Sequence, residues 1–396
     1  MQELIDIKEE LIKSPLYKLS LTNKELFHSN FIAWFGSEYP AQFLNLIKVL
    51  LNKTDIEWPE VICVKREYNH FDVAVLDGSG KLCLVLENKI KSIPTQKQLD
   101  GYEKVAKKLG NVEFILLTMN EQCKEWTNKS SAIIWNIVDY DKLCTNLRKV
   151  SENIPNSYHK DLIFDYCHYA SCLQKAIRAA DSDKFSYNKS EYEILNCLGI
   201  HDICGKRQVQ AAHLQLIHAF NQLKLINKVS IVKKSADLEA GKKQIQVDWT
   251  YTNAPVLEVR FKTKYSDFVI IQIQGGQYRH AIEYFDKKLG ERIGRKDDEK
   301  VSYIPNERGI NYLKEKYPHI LFGKDVIKNY PSWNADFGQR EQFCKYCNGR
   351  TVPNGISCFV YQWVPIPENI EIKDLVEAIV KDTINLLNLT NACPGE

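Results

Sequence analysis

The sequence predicts an α/β domain built on a mixed sheet flanked by helices, followed by a second, α+β domain with an antiparallel sheet. Phe71 to Leu76 and Leu82 to Lys89 read as two strands joined by a Gly-containing turn. Helical stretches lie on both sides of that hairpin and an apolar strand from Val112 to Met119 follows, giving the order helix, hairpin, helix, strand. Past residue 180 the chain turns to segments that alternate at period two.

Along the first domain, Asn23 is placed to cap a helix running through Glu25, Leu26, Phe27, His28, Ser29, Phe31, Ile32 and Trp34, whose apolar residues are expected on the sheet. Leu26 stands where a capping box would have its acid, so the cap alone is expected. Glu25 in the first turn suits the helix dipole. His28 reads as a buried, hydrogen-bonded histidine and Ser29 as a partner for local backbone.

A strand beginning near Arg66 then alternates through Phe71, Val73 and Val75, and Asp77-Gly78-Ser79-Gly80 supplies residues that tolerate positive φ. Closing the hairpin symmetrically about Gly78 and Ser79, with a two- or four-residue loop, sets Asp72 against Val85 and His70 opposite Glu87. Asp72 and Glu87 become diagonal neighbours on one face, about 7 Å apart at their backbones. Lys89 shares that face by period two. Downstream, Gln98 and Tyr102 are four apart and share a helical face. Helices around Leu143 to Arg148 and Tyr158 to Ala180 are expected to cover the sheet, and Asp181-Ser182-Asp183-Lys184 reads as a linker dividing the chain into 1–180 and 185–396.

The second domain opens with a helix from about Gln208 to Leu225. Strands are expected at Val229 to Val232, Gln244 to Tyr251, Val256 to Thr263, Asp267 to Gln274 and Ser357 to Val364, and helices near Gly276 to Leu289, Glu307 to Lys316 and Ile372 to Leu389. Asp248 and Glu258-Val259-Arg260 echo the first hairpin, an echo read as coincidence because a planar guanidinium is no substitute for a lysine. Tyr278, Arg279, His280, Tyr284, Lys287, Lys288, Arg292, Arg295 and Lys296 interleave aromatic faces with cations, as contact with a nucleic-acid strand requires. Glu283, Asp286, Glu291, Asp297 and Asp298 dilute that field, and a solvated helix face is the alternative. Trp333, Tyr361 and Trp363 read as packing residues.

The chain has 396 residues, 44% hydrophobic and 26% charged, long enough for two cores. Its net charge of +3 excludes a strongly basic body, so nucleic-acid affinity would have to come from local patches. No stretch approaches a membrane span, and the amino terminus lacks a signal-peptide layout, so a cytoplasmic location is expected. Of the 12 cysteines, Cys63 and Cys83 on strands and Cys167, Cys172 and Cys197 on helices read as small buried hydrophobes. Cys344-Lys345-Tyr346-Cys347 has the turn of a zinc knuckle, but with no second Cys-x-x-Cys only His201 with Cys204, or Cys358, remain as distant partners.

Two acids and a lysine on apolar strands need a chemical reason. The oxygens of Asp72 and Glu87 suit Mg²⁺ or Mn²⁺, and Lys89 beside such an ion can position a water or neutralise charge at phosphorus. That chemistry is phosphodiester hydrolysis; a structural ion pair on an exposed hairpin face is the plain alternative. Asp72 followed by Glu87-Asn88-Lys89 resembles the core of the PD-(D/E)XK nuclease superfamily, with Phe71 standing where the motif has its proline. The helix bearing Glu25 and His28-Ser29 is similar to the amino-terminal helix of a bacterial branch of it, and Gln98-x-x-x-Tyr102 is similar to a helix that follows the lysine strand in several branches.

The resemblance spans residues 20 to 120 and implies a restriction-endonuclease-like fold and a metal-dependent nuclease. Asp72, Glu87 and Glu25 would hold Mg²⁺ or Mn²⁺, Lys89 would orient the attacking water, and Gln98 and Tyr102 would contact the substrate. It also implies a nucleic-acid partner, DNA first, and a role in defence or repair. A catalytically silent nucleic-acid- or protein-binding module on the same fold and an RNA nuclease are the alternatives, and oligomerisation is left open.

Overall fold

The computed structural model describes residues 2–20, 25–53, 62–90, 96–119 except 107 and 110, 135–180, 183–223, 245–251, 255–284 except 264 and 266, 286, 288–293, 302–322 and 358–390. The chain divides into two compact units, Met1–Ser182 with Lys189–Arg207, and Asp183–Asn188 with Gln208–Glu396.

In the first unit, helices α1 (Gln2–Leu11), α2 (Pro15–Leu19), α3 (Glu25–Glu38) and α4 (Pro40–Leu51) precede strands β1 (Ile62–Tyr68), β2 (Phe71–Asp77) and β3 (Leu82–Lys89). Then come α5 (Gln96–Ala106), β4 (Glu113–Thr118), β5 (Asn136–Asp139), α6 (Tyr140–Ser151), α7 (Ser157–Ala179) and α8 (Lys189–Cys197), and α9 (His201–Gln222) runs on past Arg207. The five strands form one mixed sheet in the order β1-β2-β3-β4-β5, antiparallel through β3 and parallel from β3 to β5. Central strands of such a sheet are covered on both faces, which is why β3 and β4 are near-continuous apolar runs. Asp139 caps α6 by accepting from the Lys142 N–H at 2.7 Å, and Asn156 caps α7 by accepting from the His159 N–H at 3.1 Å. Asn23 lies outside the described residues. In α3 the expected packing of Leu26 fails: it is 52% exposed, off the buried stripe of His28, Ser29, Ile32 and Phe35.

The hairpin differs from expectation in two ways. The single strand expected from near Arg66 is an antiparallel pair, with Tyr68 against Phe71 and a turn at Asn69 and His70, both at positive φ (53° and 69°). Two left-handed residues make the tightest hairpin turn, and Asn and His are among the non-glycine residues that accept that conformation. The next turn is a three-residue loop closed by Asp77 N–H to the Lys81 carbonyl at 2.9 Å, with Gly80 at φ 83°. Asp77 Oδ1 accepts from the Ser79 and Lys81 N–H groups, both at 2.9 Å. A bulge then leaves Cys83 as an extra residue, since Leu76 pairs with Leu82 while Val75 pairs with Leu84. Val73 therefore pairs with Leu86, and the next position sets Asp72 opposite Glu87 rather than Val85. Loop and bulge each slip the register by one residue, so together they preserve the face.

Cysteine burial is mixed. Cys167 and Cys172 are buried as expected, but Cys197 is exposed, and so is Cys63, on an edge strand whose side chains alternate outward. Cys344 and Cys347 lie outside the described residues.

The second unit contains β6 (Gln246–Tyr251), β7 (Pro255–Lys262), β8 (Phe268–Gln274), β9 (Gln277–Tyr284), β10 (Gly290–Ile293), β11 (Ser302–Pro305), α10 (Glu307–Lys316), one turn of π-helix (Pro318–Phe322), β12 (Cys358–Pro365) and α11 (Ile372–Leu389). Five strands form an antiparallel sheet in the order β12-β9-β8-β7-β6, and β10 pairs with β11. One face of the sheet packs on Leu216 and Phe220 of α9 and Leu375, Ile379 and Leu386 of α11. The helix expected over Gly276 to Leu289 is instead strand β9. Gly275 and Gly276, at φ 57° and 75°, make a two-residue hairpin turn that lays Gln277 against Gln274.

That strand removes much of the surface expected for nucleic-acid contact. Tyr278, His280 and Tyr284 alternate into the core, where the Asp382 carboxylate pairs with His280 Nε2 and accepts from the Tyr278 hydroxyl at 2.8 Å. On the opposite face Arg260 bridges Glu258 (3.2 Å) and Glu283 (3.3 Å), an ion-pair network unlike the first hairpin. Arg279 lies 4.4 Å over the Tyr361 ring. Val229 to Val232, Arg295, Lys296 and Trp333 lie outside the described residues. Among the described residues no helix is long and apolar enough to cross a membrane.

Candidate active site

Strand β3 carries the site because its alternation sends Glu87 and Lys89 to one face and the Asn88 side chain to the other. On the first face Lys89 Nζ donates to Glu87 Oε1, which also accepts from the Tyr102 hydroxyl at 3.0 Å. Gln98 Nε2 in turn donates to that hydroxyl at 2.9 Å. The four-residue spacing on α5 thus aims both side chains at the acid. Glu87 is buried, and its Oε2 has no hydrogen-bond partner among the described residues.

Asp72 comes in from β2. Its Oδ2 accepts from the Asn88 backbone N–H at 2.8 Å, a bond made because the two residues sit diagonally across the hairpin. Glu25, at the start of α3, accepts from the Ile90 N–H through Oε1 at 2.9 Å and so grips the end of β3. The structure therefore brings Glu25, Asp72, Glu87, Lys89, Gln98 and Tyr102 around one strand end. The oxygens of the three acids nonetheless do not gather within 4.8 Å of one another as a set.

Burial dominates the electrostatics. It pushes the Glu87 carboxyl up to about 7, against the charge of Lys89 and with that of Asp72. Asp72 is also raised by burial, with the Asn88 N–H and Lys89 opposing. For Lys89 burial favours the neutral amine, but the Glu87 carboxylate outweighs it and the ammonium is retained. Glu87 is thus the member of this buried pair whose charge is in the balance. A second cation on its bare oxygen would stabilise the ionised form.

Asn88, Tyr140 and Arg66 complete the site and were not singled out from the sequence. The Asn88 Nδ2 donates to the Glu25 carbonyl at 3.0 Å and Ser29 Oγ at 3.2 Å, and Oδ1 accepts from the Tyr140 hydroxyl at 2.7 Å. An amide on the core-facing register of an apolar strand was the available signal, because such a group must find partners. Arg66 bonds Asn30 and lends positive charge to Asp72. Ser29 Oγ donates to the Glu25 carbonyl at 2.9 Å. His28 is fully buried, with Tyr166 at 2.9 Å from Nδ1 and Tyr169 at 3.3 Å from Nε2, and burial lowers its imidazole to about 3. It is neutral and sealed from the acids, a structural residue.

Neither a curated protein nor a solved structure matches the chain. Residues 16–168 match the family model of the PD-(D/E)XK nuclease superfamily, so this part of the chain is similar to a superfamily whose members are in general nucleases that use divalent metals.

Proposed function

We propose that the first unit hydrolyses phosphodiester bonds in DNA with Mg²⁺ or Mn²⁺, in the cytoplasm, in defence against foreign DNA or in repair. The observation that carries this reading is the convergence on one hairpin face of the buried pair Glu87 and Lys89 with the half-buried Asp72, one oxygen of Glu87 having no hydrogen-bond partner among the described residues. An all-oxygen donor pair suits a hard divalent ion, so Asp72 and Glu87 fit as its holders, with Glu25 anchoring the strand end beside them. Such an ion, when bound, supplies Lewis acidity and lowers the pKa of a water.

The chain's own residues do the rest. Lys89, held cationic by Glu87, presents its ammonium where the attacking water and the phosphate oxygens meet, and offsets charge developing at phosphorus. Gln98 and Tyr102 line the approach and orient the Glu87 carboxylate, and in the same reading contact the substrate. The segment 185–396 serves as an accessory domain for substrate or partner. The test is a cleavage assay on single- and double-stranded DNA and RNA with Mg²⁺, Mn²⁺ or chelator. Metal-dependent DNA cutting is expected, falling at least about a hundredfold in Glu87→Ala and Lys89→Ala. Cutting that survives both substitutions overturns the site, and cutting confined to RNA overturns the substrate.

A further inference from the structure

A second cluster lies within the first unit, where α1 packs along α7. His168 and Cys172 are one turn apart on α7 and share a face, and Glu10 on α1 reaches across to them. His168 Nε2 stands 2.8 Å from Glu10 Oε1 and 3.9 Å from Cys172 Sγ. Each of the three contributes a ligand atom within 4.8 Å of the other two, and among the described residues theirs is the only such group of three or more.

A salt bridge between His168 and Glu10 would need no thiol. Here Cys172, itself buried, turns its sulfur toward the pair, with Sγ 3.9 Å from His168 Nε2 and within 4.8 Å of the Glu10 carboxylate. The triangle is close to what a tetrahedral ion requires: bonds of about 2.0 to 2.3 Å put neighbouring ligand atoms roughly 3.3 to 3.8 Å apart. Sulfur, imidazole nitrogen and carboxylate oxygen are also the donors zinc takes. The His168 and Glu10 side chains are about half exposed, at 52% and 51%, which leaves an entry path and a fourth position for water.

We propose that Glu10, His168 and Cys172 form a zinc site that clamps α1 to α7. Burial holds the Cys172 thiol protonated, pushed up to about 11, so the ion must displace that proton: the S–H bond breaks, an S–Zn bond forms, and the proton leaves to solvent. The clamp is separate from the all-oxygen pair at the hairpin, and its donor set selects a softer ion.

Cobalt(II) reports the difference, because only a thiolate ligand gives a sulfur-to-metal charge-transfer band. Titrating the full chain with Co²⁺ is expected to give that band with saturation, to lose it in Cys172→Ser, and to weaken binding at least about tenfold in the surface variants His168→Ala and Glu10→Ala, whose folding is checked by circular dichroism. Zn²⁺ should raise the melting temperature of the wild type and not of His168→Ala. A Cys344→Ser, Cys347→Ser double variant should keep the band. No band in the wild type, or a band lost in the double variant and kept in His168→Ala and Glu10→Ala, overturns the site.

Discussion

Asn88 and Asp72 are joined across the hairpin: the Asn88 N–H donates to Asp72 Oδ2 at 2.8 Å, while the Asn88 side chain is held from the opposite face of the sheet by Glu25, Ser29 and Tyr140. One residue thereby couples the face bearing Asp72, Glu87 and Lys89 to the helical layer behind it. Replacing it by leucine keeps the volume but strands the buried Tyr140 hydroxyl and removes the amide's bonds to the Glu25 carbonyl and Ser29 Oγ. Asn88→Leu is expected to cost about 2 to 4 kcal/mol in urea unfolding, the scale for unsatisfied buried polar groups. Its cleavage rate should fall as well, because the Asp72 grip depends on the same strand. An unchanged unfolding midpoint would contradict the bracing role.

Tyr102 acts on Glu87 through one hydrogen bond, and that bond favours the ionised acid. In Tyr102→Phe the carboxyl should hold its proton to higher pH. The acidic limb of the pH profile of kcat/KM is expected to move upward, with a loss of about fivefold at pH 7, equivalent to about 1 kcal/mol. A loss that is uniform across pH would instead mark Tyr102 as a substrate contact alone.

The raised carboxyl of Glu87 also makes folding depend on pH in the absence of metal. Unfolded, the group titrates near 4.5; folded, near 7, so between those values the folded state binds more protons. Stability from this group is therefore complete below about 4.5, falls as pH rises to 7, and levels off above, by a total of about 3 kcal/mol. An ion that binds the carboxylate reverses the loss. The Mg²⁺-induced rise in melting temperature should be larger at pH 8 than at pH 6, and Glu87→Gln should abolish it. Equal shifts at the two pH values would refute the assignment.

In the second unit Gly309 is fixed by space. A Cβ there would lie 2.1 Å from the Leu289 carbonyl oxygen and 2.9 Å from the Tyr284 hydroxyl. The approach is enforced by Asn306, which caps α10 at the Gly309 N–H (2.9 Å) while its own N–H donates to that same carbonyl (3.1 Å). Gly309→Ala is expected to destabilise by about 1 to 3 kcal/mol in thermal unfolding, although alanine is the better helix former. A neutral or stabilising result would mean that the backbone of Leu289 yields.

How much of this was legible depended on which interactions set each feature. Asp72, Glu87 and Lys89 could be placed on one face because side-chain direction follows from parity alone, and an error of two residues in register leaves parity intact. The register itself was missed because it depends on the φ of Gly80 and on the bulge at Cys83, which no hydrophobic pattern records. Strand β9 reads as a helix from its many charged residues, although Tyr278, His280, Ile282 and Tyr284 carry period two and the Gly275-Gly276 turn precedes them. The role of Asn88 is not legible in the sequence because it lies in partners 52 and 63 residues distant, Tyr140 and Glu25. Glu10, His168 and Cys172 are likewise brought together only by the packing of α1 on α7.

The bulge and the three-residue loop have a consequence for how this hairpin can vary in length. Each is a one-residue departure from a regular ladder, and each by itself would turn Glu87 and Lys89 away from Asp72. A single-residue insertion or deletion in the loop is thus equivalent to erasing the acid pair while leaving every residue of it in the chain. Changes by two, or one change matched by loss of the bulge, keep it. Among variants of this hairpin, lengths that differ by an odd number should be paired with the gain or loss of a bulge.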